Sequence, residues 1–283
     1  MKKSIIAIVA VLMLVSVLAI GLTACNNDKA GFTPVDAQAD IFNELNSKTA
    51  DVGILDYTMA TYLISQQTAL TQNIAIINDI EFDEEYYGIA FRKGSTGLAD
   101  RINKILNEQK NTGVKEIAEK YGLENNVLSL DYTAPENTND DDWNYIVEKG
   151  SFIIGYTLNP PMAIKNTDGS LSGFDIELPT KVVSWLNEKY GTSIEVKFQL
   201  INWDNKEIEL EGKSIDCIWN GMTITPEREA AMTISIPYLL NKQVAITLKN
   251  NVEKFNSLDK LKSARIVAEK GSAGEDIAKT IFA

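Results

Sequence analysis

Opposed charges and hydroxyls sit where several short apolar runs end. Val52 to Leu55 ends on Asp56, a carboxylate able to hold an ammonium group. Ile215 to Trp219 ends on Asn220, Gly221, Met222 and Thr223, followed by Thr225-Pro226-Glu227-Arg228. Thr225 before Pro226 places a cap ahead of proline at the first helical position, so Arg228 falls in the first turn, with a planar fork suited to a carboxylate. Arg265 to Ala268 leads into Gly271-Ser272-Ala273-Gly274-Glu275, where Ser272-x-x-Glu275 is a capping box. Phe152 to Gly155 leads into Asn159-Pro160-Pro161. Helix starts expose unpaired N–H groups and favour an anion. Together these groups are what a molecule carrying one ammonium and one carboxylate requires. Singly, each has an ordinary reading: a solvated arginine, a plain helix cap, an aspartate closing a turn.

Other chemistry is closed off by what the chain lacks. It has no histidine, so Ser-His-Asp and Cys-His catalysis and a histidine metal site are all excluded, and no metal or cofactor is expected. Cys25 and Cys217 are the only cysteines, too few for a disulfide framework. Cys217 lies in the apolar run Ile215 to Trp219 and reads as a small buried hydrophobe. With 27 basic against 39 acidic residues and a net charge of −12, the chain is a poor partner for nucleic acid or anionic lipid.

The elements that must position these groups alternate along the chain. Short apolar runs at Val52 to Leu55, Phe152 to Gly155, Val196 to Phe198, Ile215 to Trp219 and Arg265 to Ala268 read as strands. Leu98, Ile102, Ile105 and Leu106 form the stripe of an amphipathic helix, and Val182, Val183, Trp185 and Leu186 suggest another before Gly191. The alternation predicts an α/β fold with largely parallel sheets, whose ligands bind at the carboxyl ends of strands. Residues 131–142 lack apolar periodicity, concentrate turn-formers and acid, and read as an exposed linker. At the start, Lys2 and Lys3 precede an apolar run from Ile5 to Ile20, the pattern of a secretory signal, although its length also just reaches that of a membrane anchor. Leu22-Thr23-Ala24-Cys25 resembles the bacterial lipobox, which implies a signal at 1–24, lipid on Cys25 and a tether at 25–30.

The chain resembles the polar amino acid family of periplasmic-type solute-binding proteins. The resemblance is carried by Ile215-Asp216-Cys217-Ile218-Trp219-Asn220-Gly221-Met222-Thr223-Ile224-Thr225-Pro226-Glu227-Arg228, Ser235-Ile236-Pro237-Tyr238 and Gly173-Phe174-Asp175-Ile176-Glu177-Leu178. Tyr87-Gly88-Ile89-Ala90-Phe91-Arg92-Lys93-Gly94 and Lys120-Tyr121-Gly122-Leu123 extend it. It implies a two-lobe, type II binding-protein fold, each lobe a mostly parallel sheet with flanking helices, and a ligand cleft between them. By the same resemblance Arg228 clamps a ligand α-carboxylate with Thr223 and the N–H groups near Ser272 and Ala273. Asp56 and the Gly221 carbonyl, beside Asn220, receive the α-ammonium, and Trp203 packs on the ligand side chain or in the core. Asn159 falls where many relatives carry an aromatic. Pro179 falls inside the family's first helix, so a late start or a kink is expected there.

The segments come in an unexpected order. In the family the stretch like 143–283 precedes the stretch like 31–130; here it follows. The resemblance therefore implies a circular permutation or a truncated tandem. The permuted reading assigns 31–87 plus 249–283 to the second lobe and 88–130 plus 143–248 to the first, with 131–142 bridging the old termini. Its crossing strands are expected near Tyr87 to Phe91 and Gln243 to Leu248. The implied function is a monomeric, extracytoplasmic lipoprotein, not an enzyme, that captures a free polar amino acid and closes as a hinge to deliver it to an ABC permease in the cytoplasmic membrane. A ligand-sensing receptor domain and a dehydratase on the same fold are the alternatives.

Overall fold

The computed structural model describes residues 29–128 and 131–283, so the signal, the lipobox and Cys25 lie outside the described residues. In chain order the first elements are β1 (Gly31–Val35), α1 (Asp40–Ser47), β2 (Val52–Asp56), α2 (Tyr57–Ser65), β3 (Ile74–Ile76), β4 (Glu84–Phe91), α3 (Thr96–Gln109) and α4 (Gly113–Glu119). After the stretch at 131–140 come α5 (Asp141–Lys149), β5 (Ser151–Tyr156), β6 (Ile164–Lys165), β7 (Leu171–Ser172), α6 (Phe174–Tyr190), β8 (Glu195–Leu200), α7 (Lys206–Glu211) and β9 (Cys217–Thr223). The chain continues through α8 (Pro226–Ala231), β10 (Thr233–Ile234), β11 (Leu239–Leu248), α9 (Leu258–Leu261), β12 (Arg265–Glu269) and α10 (Ala273–Phe282).

The strands lie in the order β1-β12-β2-β11-β4-β9-β5-β8, and β11 joins two sheets. Parallel pairing holds on the flanks, between β1 and β12, β12 and β2, β9 and β5, and β5 and β8. It gives way to antiparallel pairing at β4 and β11, which cross between the lobes. Each sheet is covered on both faces. In one lobe Phe91, Phe152, Trp219, Phe174 and Leu98 pack with α3, α4, α5 and α6, while Ile201, Ile215, Ile218 and Met222 pack on the other face. In the other lobe Phe42, Leu45, Leu55 and Met59 fill one side and Ile54, Phe255, Ile266 and Ile281 the other. Two faces per sheet explain why the strands read as continuous apolar runs rather than alternating ones.

Several local readings shift. The strand expected to end at Trp219 starts at Cys217 and runs to Thr223, because Tyr87 and Gly88 of β4 pair with Thr223 and Met222. Asn220 and Gly221 do not end the strand: both lie inside buried β9, opposite the point where the pairing with β4 shifts register between Gly88 and Ala90. The late start expected from Pro179 does not occur. Helix α6 begins at Phe174 and runs unbroken to Tyr190. Gly173, at φ 125°, makes that start possible: a Cβ there would sit 2.3 Å from the Met162 carbonyl oxygen. Crossing takes place at Glu84–Tyr87 against Leu239–Lys242, just before the expected stretches on each strand. Tyr87 to Phe91 pair with β9, and Gln243 to Thr247 pair with β2. The acidic stretch stays mostly exposed, but its last residues, Asp141 and Asp142, form the first turn of α5, where carboxylates favour the helix dipole.

Cys217 is buried, and burial pushes its thiol well above the usual range, so it packs as an inert hydrophobe. No helix among the described residues is long and apolar enough to cross a membrane.

Candidate functional site

Asp56 closes β2 and occupies the N-cap position of α2, yet its side chain makes no capping hydrogen bond. Its carboxylate instead accepts from the amides of Asn241 at 2.8 Å, Gln243 at 2.7 Å and Gln38. Gln243 lies opposite Asp56 in the β11–β2 register, so the antiparallel crossing strand delivers the amide. Asn241 and Gln243 also donate to Glu85, at 2.5 and 2.8 Å, which links a second carboxyl to the group.

Arg228 comes from the other lobe. Thr225 caps α8, its hydroxyl accepting the Arg228 N–H at 3.3 Å, and Pro226 takes the first helical position. The arginine is not the solvated residue its place in a first turn allows: it is 7 % exposed. Its guanidinium donates to the Thr223 carbonyl at 2.7 Å and, across the cleft, to the Gly271 carbonyl at 3.0 Å. The same Gly271 oxygen accepts from the Trp203 indole at 3.1 Å and from Lys206 at 3.2 Å. Donors from one lobe thus converge on one carbonyl of the other, which holds the lobes closed. Trp203 does both things open to it, packing with Ile201, Leu210 and Ile215 while lining the cleft.

A cavity between the lobes is lined by Asp56, Asn159, Trp203, Asn220, Gly221, Thr223, Arg228, Ser272 and Ala273, together with Gln38, Gln243 and Glu269. With the lobes together it leaves only about 10 Å³ for the centres of water-sized molecules. Every ligand-binding candidate drawn from the sequence therefore faces one space. Gln38, Gln243 and Glu269 were not among those candidates. Glu269 had a signal, since it is the residue after Ala268 at a strand end; Gln243 had none, because its position depends on strand register.

Smaller contacts set the walls. Gly221, at φ 58°, donates its N–H to the buried Asp175 carboxylate at 2.7 Å, and the Tyr238 hydroxyl donates to the same oxygen at 2.9 Å. Burial raises Asp175 to about 7 against those hydrogen bonds. Asn159 is fixed by reciprocal backbone bonds with Ala163 at 3.1 and 3.0 Å. Ser272 caps α10, its hydroxyl accepting the Glu275 N–H at 3.2 Å, while the Glu275 side chain accepts the Gly271 N–H at 2.6 Å. The capping box therefore reaches one residue further back than its simplest form.

The electrostatics are unusual for so small a space. Burial, with Asp56 adding to it, raises Glu85 to about 7 and Glu269 to about 8. Burial lowers Lys206 to about 8, assisted by Arg228. Among the described residues no group of histidine, cysteine, aspartate and glutamate side chains could hold a metal ion. The arrangement offers a buried anion, a buried cation and a helix N-terminus around a closed space. A small zwitterion fits that set in charge.

Residues 152–273 match the model of the bacterial extracellular solute-binding proteins, family 3. The family-3 segment carries Asn159, Trp203, Arg228 and Ala273, while Asp56 lies outside it. The chain is 27 % identical over 134 residues to the L-cystine-binding protein TcyJ of Escherichia coli (strain K12), covering 47 % of this chain and 48 % of that one. It is 25 % identical over 137 residues to a cyclohexadienyl dehydratase of Pseudomonas aeruginosa, covering 47 % and 49 %. Among solved structures, an ABC uptake transporter substrate binding protein from Streptococcus pneumoniae with bound histidine matches at 42 % identity over 32 % of this chain and 35 % of that one, with a TM-score of 0.28. The chain spans about half the length of the curated relatives it matches.

Proposed function

We propose that this protein captures a free polar amino acid between its lobes, outside the cytoplasm, and presents it to an ABC permease, held at the membrane by lipid on Cys25. The observation that carries the reading is the placing of Asp56 and Arg228, buried and of opposite charge, on one closed cavity from opposite lobes. Asp56 and the Gly221 carbonyl take the α-ammonium; Arg228, Thr223 and the start of α10 at Ser272 and Ala273 take the α-carboxylate; Trp203 and Asn159 border the side chain. Nothing in this scheme transforms the ligand. Binding acts by favouring the closed over the open arrangement of lobes that pivot at β4 and β11. The naming of relatives as binders of cystine and other amino acids supports it. Thermal-shift screening against the standard amino acids tests it, since a ligand that binds only the folded state raises the melting temperature. Failure of every amino acid to raise it would refute the reading.

We further infer that the segment order is a circular permutation. Support comes from β1 and β2, early in the chain, sharing a sheet with β12 near its end, within a single chain. A truncated tandem would instead leave half-built units that need partner chains.

A dehydratase is the second reading, because Glu269 supplies a cleft carboxyl raised to about 8 and thus protonated at neutral pH, as a general acid must be. Incubation with a cyclohexadienyl acid distinguishes the two: formation of an aromatic product would favour the enzyme.

A further inference from the structure

Once an α-ammonium is assigned to Asp56 and an α-carboxylate to Arg228, the cavity has buried acceptors left over. The side-chain oxygens Oδ1 of Asn159 and Asn220 have no hydrogen-bond partner, although these residues are 4 % and 2 % exposed and both line the cavity. The orientation of Asn220 is set from behind, where its amide nitrogen donates to the Thr157 hydroxyl at 2.6 Å. The remaining ionisable wall residue is Glu269, 5 % exposed. The nearby cation, Lys206, is already engaged, donating to the carbonyls of Trp203 and Gly271, each at 3.2 Å. The two unpaired oxygens call for donors, and the carboxyl beside them for positive charge.

Resting on the amino-acid-capture reading, we propose that the ligand is an amino acid with a cationic side chain, a guanidinium or an ammonium, and that Glu269 is the residue that selects it. A carboxylate side chain brings no donor to the unpaired oxygens. An apolar side chain would leave both asparagine oxygens buried and dry, which a polar site rejects strongly. A neutral amide satisfies the oxygens but offers Glu269 no opposite charge against which to ionise. Only a cation does both.

Glu269 is surrounded by Asp56, Asp40, Lys206 and the Gln38 amide, and burial with the Asp56 charge keeps it protonated near neutrality. A cation arriving beside it favours the carboxylate, so binding releases a proton. Proton release is a readout that simple space-filling would not give.

The test is calorimetric titration of the protein with L-arginine, L-lysine, L-glutamine, L-glutamate and L-leucine, at pH 7 in two buffers of different ionisation enthalpy. Arginine or lysine is expected to bind at least roughly 100-fold more tightly than glutamate or leucine and about tenfold more tightly than glutamine. The heat should differ between buffers by the enthalpy of a released proton. Glu269→Gln should erase that difference and narrow the preference over glutamine about tenfold. Should Glu269→Gln fail to fold, the selectivity and buffer dependence of the unaltered protein decide alone. Preference for glutamine, glutamate or leucine overturns the inference and leaves amino-acid capture standing; binding of no amino acid overturns both.

Discussion

Arg265 grips Asp51 with both arms of its guanidinium, at 2.9 and 3.0 Å, and its backbone N–H reaches the same carboxylate at 3.0 Å, although 214 residues separate the two. The pair fastens β12 beside β2 and so ties the late part of the chain to the early part. Because both side chains are largely shielded from water, Arg265→Ala should cost about 1.5–3 kcal/mol of unfolding free energy, the scale of hydrogen bonds to charged groups. The Arg265 hydrogen bonds hold Asp51 below the usual carboxylate range. A depressed folded-state value stabilises above the unfolded value and is lost as pH falls through the folded one. Denaturant titrations at pH 7 and below pH 4 should therefore show the cost shrinking with acid.

Buried carboxyls in the cleft act with the opposite sign. Glu85 and Glu269 are raised to about 7 and about 8, so their contribution to stability is present at acid pH and lost as pH rises through those values. The melting temperature of the unliganded protein should fall by at least about 3 °C between pH 5 and pH 8. Glu269→Gln should flatten that slope, as read by calorimetry across the range. A steeper slope in the variant would count against burial as its cause.

For the clamp itself, Arg228→Ala should weaken amino acid binding by about 2–5 kcal/mol, the scale for breaking a desolvated charge pair. Asp56→Asn should weaken binding far more than folding, because the amides of Gln38, Asn241 and Gln243 have other partners nearby, Glu85 among them. Near-native affinity in both variants would remove these residues from the binding role.

Much of this site was legible because its chemistry lies where strands and helices end. Asp56 after β2, Thr225-Pro226 before Arg228 and the Ser272 cap are local patterns, readable without knowing what packs on what. What escaped depends on pairing between distant segments. Gln243 matters because β11 sets it opposite Asp56, and no spacing within 239–248 announces that register. The extent of β9 escaped for the same reason: the strand reads as ending at Asn220-Gly221 until Tyr87 and Gly88 are known to lie alongside Thr223 and Met222. Of the late start or kink that Pro179 suggests, the late start fails because Gly173 sets the beginning of the helix upstream of the proline.

The permutation has a direct engineering test. A chain cut near 135 and joined by a short linker from Ala283 to Gly31 should fold as a monomer and keep its ligand affinity within about threefold, since exposed loops tolerate such cuts. The exposure of 133–139 and the packing of α10 against β1 make both operations feasible. Loss of folding, or dimers that grow with concentration, would favour a truncated tandem.

Anchoring is checked separately. Cys25→Ala should abolish lipid labelling and leave the precursor unprocessed or release the protein. Unchanged membrane fractionation together with unchanged processing would refute lipid attachment at Cys25.

The partnership of β1 and β2 with β12 also sets a timetable. Synthesis delivers a polypeptide from its first residues onward, so these early strands emerge long before their neighbour between them exists. The lobe built from β4, β5, β8 and β9 can close its sheet earlier, once Thr223 has emerged. The other must hold unpaired apolar edges until Arg265 to Glu269 arrive, and pairings of such long sequence separation form slowly. A protein arranged this way leans on its surroundings while it waits, and a holdase that covers strand edges should raise its yield.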